Sequence, residues 1–403
     1  MKKFVMFFIF FIVLSVVLLT SSSVYAQMKM GAVINCTGPA SSWGMYHAKG
    51  HQDYIKYLNE VKGGIAGKKV ELTVYDHAYK LADGLKYAKK LCEDKNSIIA
   101  TWDTGFGIQA KPLVKQYRIP CINYSTGQEI LKPPIDYMYL PFGSYILDTH
   151  AMLEYIKAIH KGKEPPKVGL IAVNNAYGKS VSTVALADAK KYGVNIVAFE
   201  EFPTAIVDLS TQMLKLKEAG AEYVLMQLLP PNIITALKAA DQVGFNGPFF
   251  GTWTSTDADF FKLGKGLIKE RLFMEFPGAL PQDNTPGIKV YNELVERYKS
   301  TAGIGYDTSY WEGVIIAMLM ERALEKSMKM FGNVEPESVN KAMESFRNED
   351  FGGLFPNVTY TKDNHEASFV GRIVQVHEGA SYTPMTNFFV PGKNEMKVLR
   401  RPK

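Results

Sequence analysis

Apolar and polar positions along this chain follow two alternating rhythms. Short apolar runs of strand character are separated by longer stretches whose apolar residues recur three and four positions apart. The first run is Met28 to Asn35, followed by a helix predicted over Trp43 to Val61 and a turn at Gly63-Gly64. Val70 to Tyr75 reads as a strand, with Val70, Leu72 and Val74 in alternation, and Ala82 to Glu93 as a helix. Ser97 to Trp102 is the next strand, Ile108 to Tyr117 the next helix, and Ile119 to Asn123 the strand after it. Strands alternating with helices imply βαβ units and a parallel sheet.

The rhythm stops between Tyr124 and Ser144, a stretch holding Pro133, Pro134, Pro141 and two glycines, and then restarts. Helices are predicted over Ile146–His160, Lys179–Lys191, Leu209–Glu218 and Asn232–Val243. Strands are predicted over Val168–Val173, Asn195–Phe199, Tyr223–Gln227 and Phe249–Gly251. Two α/β halves of similar size result. Beyond Gly251 the pattern is mixed, with a helix over Thr285–Ser300. Ser309 and Glu312 have the spacing of a capping box that opens a long helix carrying Val314, Ile315, Met318, Leu319 and Ala323. That helix is expected to pack back on the first half. Phe369 to Val376 alternates as a closing strand.

The N-terminus changes the context of these halves. Met1-Lys2-Lys3 precedes an apolar run from Phe4 to Leu19, then Thr20 to Ser23 and Val24-Tyr25-Ala26. This is the form of a secretory signal peptide, and the run is shorter than the roughly 20 residues of a membrane span. Residues 1–26 are expected to be removed after Ala26, leaving a chain that begins at Gln27 in the periplasm. About 380 residues exceed what one core serves, so two domains are expected. The net charge of +6 is spread over paired surface lysines such as Lys89-Lys90 and Lys190-Lys191, a solvated face rather than a nucleic-acid site. Three cysteines, Cys36, Cys92 and Cys121, cannot all pair. They read as buried small apolar residues, with a Cys92–Cys121 bridge as the alternative. No cysteine follows Ala26, so no lipid anchor is expected.

Nucleotide-like motifs are present but incomplete. Asn174 to Ser180 ends in Gly-Lys-Ser, yet Val173 stands where the first glycine of a phosphate loop belongs. Gly105-Phe106-Gly107-Ile108-Gln109-Ala110 has the G-x-G-x-x-A form, but it follows the third strand rather than the first, in a compartment without the cofactor. No cofactor is therefore expected. What survives is the anion-binding physics of a helix N-terminus, which suits a carboxylate. His47 and His51 lie four apart without a third ligand at a diagnostic spacing, so no metal is expected. No nucleophile elbow or zinc-protease motif occurs. Asp103, Glu129 and Asp257 lie near strand ends without evidence of pairing, so no catalytic residue is assigned. Trp43, Phe106, Tyr177 and Trp253 each fall just past the carboxyl end of a predicted strand, where open α/β sheets bind ligands. Together they suggest an aromatic pocket.

Several segments carry a family resemblance. Gly31-Ala32-Val33, Thr37-Gly38-Pro39-Ala40, Trp43-Gly44, and the run from Asn59 through Gly63-Gly64-Ile65-Ala66-Gly67-Lys68-Lys69 to Asp76 are the first. Tyr177-Gly178, Gln242 to Gly244 and the Tyr360–Val374 tail with Asp363-Asn364-His365 follow. The chain resembles the substrate-binding proteins of branched-chain-amino-acid-type ABC transporters. The resemblance implies the type I periplasmic-binding-protein fold: α/β, with two doubly wound lobes joined by three crossovers. Lobe 1 would be residues 27–143 with 277–350, and lobe 2 residues 144–276 with 351–403. The ligand would be captured between them by hinge closure, and the closed monomer would dock on ABC permease subunits.

In that family two loops of the first lobe hold the ligand carboxylate. By position these are Thr104–Gly107 and Ser125–Gly127, which makes Gly105, Phe106, Gly107, Ser125, Thr126 and Gly127 the expected contacts, although Phe106 stands where a serine is common. Trp43 and Tyr177 fall where the family sets aromatics against the ligand. Trp253 replaces the acidic residue that pairs with an amino acid's ammonium. A buried ammonium without a partner costs several kcal/mol, on the order of a hundredfold or more in affinity. The expected ligand is therefore an aromatic or otherwise apolar carboxylate. The alternatives are an amino acid whose ammonium is met by a rearranged Asp257 or Glu275, a ligand sensor, or a secreted hydrolase using Ser125 with His77 or His365.

Overall fold

The computed structural model describes residues 28–301, 303–367 and 370–402. The expected leader, and Phe369 of the expected closing strand, lie outside them. The structure contains two sheets. The first runs β2 (Val70–Asp76), β1 (Met28–Ile34), β3 (Ile98–Thr101), β4 (Cys121–Asn123), β5 (Met138–Tyr139), with every pairing parallel. β3 and β4 are buried throughout and β1 nearly so, as parallel strands covered on both faces must be.

The second sheet repeats this winding. Its parallel part runs β7 (Asn195–Phe202), β6 (Lys167–Val173), β8 (Tyr223–Gln227), β9 (Phe249–Gly251), β10 (Leu272–Phe276). Two antiparallel strands, β11 (Arg372–His377) and β12 (Ser381–Pro384), extend it beyond β10. This is the type I periplasmic-binding-protein fold. The sequence pattern missed β10, whose five residues are all buried and carry no alternation to mark a strand.

Helices α1 (Ser41–Glu60), α2 (Leu81–Glu93) and α3 (Thr104–Tyr117) connect the first sheet, and α4 (Tyr145–Ile159), α5 (Ala176–Asp188), α6 (Ser210–Glu218) and α7 (Pro230–Val243) the second. The remaining helices are α8 (Ala258–Leu263), α9 (Pro286–Tyr298), α10 (Thr308–Phe331) and α11 (Pro336–Glu344). As expected, the long helix α10 packs on the first half, against α1. Two glycines set the approach. A Cβ on Gly50 would fall 2.2 Å from Tyr310 O, and one on Gly313 2.0 Å from His47 O. The backbones of α1 and α10 therefore touch.

The expected capping box is not formed. Asp307 caps α10, accepting from Tyr310 N at 2.7 Å and from the Ser309 hydroxyl at 2.6 Å. Its carboxylate outcompetes serine for the first-turn N–H. Glu312, one turn in, points away to α1. Gly178 of the phosphate-loop-like motif serves packing, since a Cβ there would lie 1.8 Å from Val173 O. All three cysteines are free, with Cys92 and Cys121 buried.

The chain passes between the sheets after β5, after β10 and before β11. The first and third passages run side by side: Leu140 N donates to His365 O at 2.9 Å and Ala367 N to Leu140 O at 3.3 Å. The Tyr360 hydroxyl also donates to Leu140 O. Residues 358–367 thus lie against the first sheet. Near these passages Asp148 and Glu275 are buried and face each other. Burial first, then the neighbouring carboxylates Glu366 (on Asp148) and Asp148 (on Glu275), push both carboxyls well above their usual range.

Two outcomes follow from this packing. Gly313→Ala must part α1 from α10 and is expected to cost about 1–3 kcal/mol in denaturant unfolding. A raised carboxyl pKa in the folded state means the folded protein holds more protons, so stability falls as pH rises above the ordinary glutamate range. Glu275→Gln removes that loss. Its stability relative to the parent should grow with pH by up to about 1.4 kcal/mol per unit until the folded-state titration is passed. A parallel pair of pH–stability curves would refute this.

Candidate functional site

The carboxyl ends of both sheets face one cleft. In the first sheet the winding reverses between β1 and β3, and in the second between β6 and β8. Those reversals open crevices where ligands of open α/β sheets bind. Trp43 follows β1, Trp102 follows β3, Tyr177 follows β6 and Leu229 follows β8. All four line a narrow cavity of about 30 Å³ between the sheets. One water needs about 10–15 Å³ by the same measure, so this form encloses a head group of a few heavy atoms.

The walls come from both halves. Trp43 and Trp253 meet with centroids 5.9 Å apart, and Tyr145 stacks near Trp253 at 6.4 Å. The Tyr177 hydroxyl shares a 2.6 Å hydrogen bond with Thr254. Ser125 bonds the Thr104 hydroxyl and lies 3.4 Å from the Tyr145 hydroxyl. Tyr79, Tyr124 and Pro230 also line the wall. Of the residues expected from the sequence, Trp43, Ser125, Tyr177 and Trp253 come together here.

The others stand behind the wall or at its edge. α3 begins at Thr104, four residues before the expected start, so the G-x-G segment forms its first turn. Helical geometry turns Phe106 inward: it is fully buried, 5.3 Å from His77, between α3 and α2. Gly107 packs against Asn123, where a Cβ would lie 2.3 Å from Oδ1, and Gly127 packs against Thr104. Thr126 is buried, and its carbonyl accepts from Tyr145 N. Gly105 sits at the cleft edge, its Cβ position 3.9 Å from Ala176 of α5.

The expected anion site is already filled by the protein. Asp103 caps α3, its Oδ1 accepting from Phe106 N at 2.8 Å, while Gly107 N bonds Asp103 O. Burial raises the Asp103 carboxyl to about 6, against the lowering effect of the Phe106 and Gly105 N–H groups. A ligand carboxylate arriving here meets an acid, not free donors. Asp103 directly precedes the helix, and the expected start at Ile108 left it outside the first turn.

Glu312 is the second acid in the wall and the one the sequence placed wrongly. It is 1% exposed. Its Oε2 accepts from the Trp43 indole N–H at 3.1 Å and shares a 3.0 Å hydrogen bond with His47 Nδ1. Burial pushes its carboxyl well above the usual range, partly offset by Trp43. Burial, reinforced by nearby His51, holds His47 well below its ordinary pKa, and burial lowers His51 to about 3. The histidine pair is packed and neutral. His51 bonds the Tyr124 hydroxyl at 3.2 Å. Among the described residues no cluster of potential metal ligands occurs.

Such a cleft between two doubly wound lobes defines a solute-binding protein of the two-lobed α/β class. A periplasmic binding protein family model matches residues 27–381, and the chain belongs to that family. Leu/Ile/Val-binding protein homolog 7 of Brucella suis is 26% identical over 295 residues, covering 69% of this chain and 71% of the relative. A leucine-, isoleucine-, valine-, threonine- and alanine-binding protein of Pseudomonas aeruginosa is 22% identical, covering 86% and 89%. A branched-chain amino acid ABC transporter protein from Thermus thermophilus, solved with bound valine, superposes with TM-score 0.83 at 24% identity, covering 91% of this chain and 97% of that one. A fatty acid ABC transporter substrate-binding protein from Thermomonospora curvata also gives 0.83, at 19% identity, covering 92% and 95%.

Asp103→Ala removes the α3 cap and is expected to cost about 1 kcal/mol, read as a lower denaturation midpoint. An unchanged midpoint would show that the cap contributes nothing.

Proposed function

We propose that this protein is the solute-binding component of an ABC uptake transporter, working in the periplasm as a monomer and delivering its ligand to membrane permease subunits. The observation that carries this reading is the cavity at both winding reversals, walled by residues from both halves. Contacts from half to half support a closed form. Ser42 donates to Asp257 at 2.6 Å, Asn175 to the Tyr79 hydroxyl at 3.2 Å, and Gln128 to Ser180 O at 3.2 Å. A ligand touching both walls favours this form over an open one by that differential contact. The moving bodies are the two lobes drawn from the sequence, with residues 351–367 joined to the first.

The solute is small, with an apolar or aromatic body, and is not a simple α-amino acid. An α-amino acid is opposed at its carboxylate end, which would face Asp103 and Glu312, and neither of the acids considered from the sequence reaches the cavity. Asp257 caps α8 and bonds Ser42, while Glu275 is buried facing Asp148. The carboxylate head expected from the sequence is disfavoured by Asp103 and Glu312. Binding without catalysis is the reading for Ser125, whose partners are Thr104 and Tyr145. His77 packs on Phe106, and His365 stacks on Tyr139 at 3.9 Å.

A thermal-shift panel of small solutes, followed by small-angle scattering, tests this: a binder should raise the melting temperature and reduce the radius of gyration. Trp253→Ala should weaken that binder by about 1–3 kcal/mol. Tight leucine binding with an unaffected Trp253→Ala variant would refute the ligand class.

A further inference from the structure

The cavity wall is acidic and aromatic at once, and this combination, taken with the cleft as the solute site, narrows the ligand further. Seven wall residues are tyrosine or tryptophan. They do not form one stack. Tyr145 and Tyr177 meet at 77°, Tyr79 and Trp102 at 74°, and Trp43 and Trp253 at 57°, all with centroids within 6.2 Å. Rings meeting at steep angles make the corners of a box.

Glu312 Oε2 is held by Trp43 and His47, but Oε1 is buried in the wall without a hydrogen-bond partner. Asp103 adds a second carboxylate, and among the described lining residues there is no lysine or arginine. An unpartnered buried carboxyl oxygen calls for a partner, a cation beside it would hold the acid in its ionised form, and the electron-rich faces of the rings attract the same charge. The buried, unpartnered indole N–H of Trp102 offers one hydrogen bond to an oxygen on the same solute.

We propose that the cleft binds a small organic cation of the alkylated-ammonium class, its head boxed by the tryptophan and tyrosine rings and paired with Glu312. A carboxylate would meet two acids and only neutral donors. The groups facing these acids are Tyr79 beside Asp103, and His47, Tyr124, Tyr145 and Tyr177 around Glu312. A cation favours the ionised carboxylates, so binding releases protons and tightens as pH rises through about 6, where Asp103 titrates.

The test is calorimetry and thermal shift on the intact protein with tetramethylammonium, choline, 3,3-dimethyl-1-butanol (the uncharged shape-match of choline), benzoate and valine. Both cations should bind, choline at least tenfold more tightly than the uncharged alcohol, with affinity rising from pH 5 to 7. Glu312→Gln should weaken choline at least tenfold and leave the alcohol unchanged. If that variant does not fold, the comparison of choline with the alcohol and the pH series on the parent protein decide alone. Equal binding of choline and the alcohol overturns the assignment, as does failure of both cations. Benzoate or valine binding with compaction, in the absence of cation binding, overturns it while leaving solute capture intact. Capture itself falls only if no member of the wider solute panel compacts the protein.

Discussion

The cleft depends on the contact between α1 and α10. These helices come from opposite ends of the first lobe's sequence, and only paired glycines let their backbones touch. Gly50 lies under Tyr310, and Gly313 lies under His47. That contact brings Glu312 within hydrogen-bond reach of Trp43 and His47, and so builds one wall of the cavity from residues about 270 positions apart. Trp311, next to Glu312, faces the other way and fills the space beneath the passages between lobes. Phe142 stacks on it at 5.3 Å, and Gly278 packs against its ring. One turn of α10 thus serves the ligand side and the hinge side at once.

The fold was largely legible in the sequence because alternating strands and helices with short turns admit few arrangements. Trp43, Tyr177 and Trp253 were legible as candidates for the cavity wall because each follows a strand's carboxyl end, which sets it near the cleft. Phe106 follows one too, but its ring packs between α3 and α2 and is fully buried there. Glu312 could not be found this way. Its local spacing fits a cap, and its role is fixed by a tertiary contact that no local pattern encodes. Tyr124 and Tyr145 were hidden likewise in the proline-rich stretch and at its exit, where periodicity gives no register.

Asp103 caps α3 with its own carboxylate, so N–H groups of the first turn are already engaged by the protein. With Glu312 in the same wall, the cavity combines an aromatic lining with two acids. Neither acid bears on the lobes or their winding; a fold of this kind leaves ligand chemistry to the side chains set at its strand ends.

The passages between the lobes also constrain motion. Leu140 and Ala367 are hydrogen-bonded side by side, so two of the three connections form a short parallel ribbon. A ribbon flexes readily across its flat face and resists bending within its plane. For the lobe opening proposed above, such a ribbon favours bending across its flat face and opposes sliding of one lobe sideways over the other.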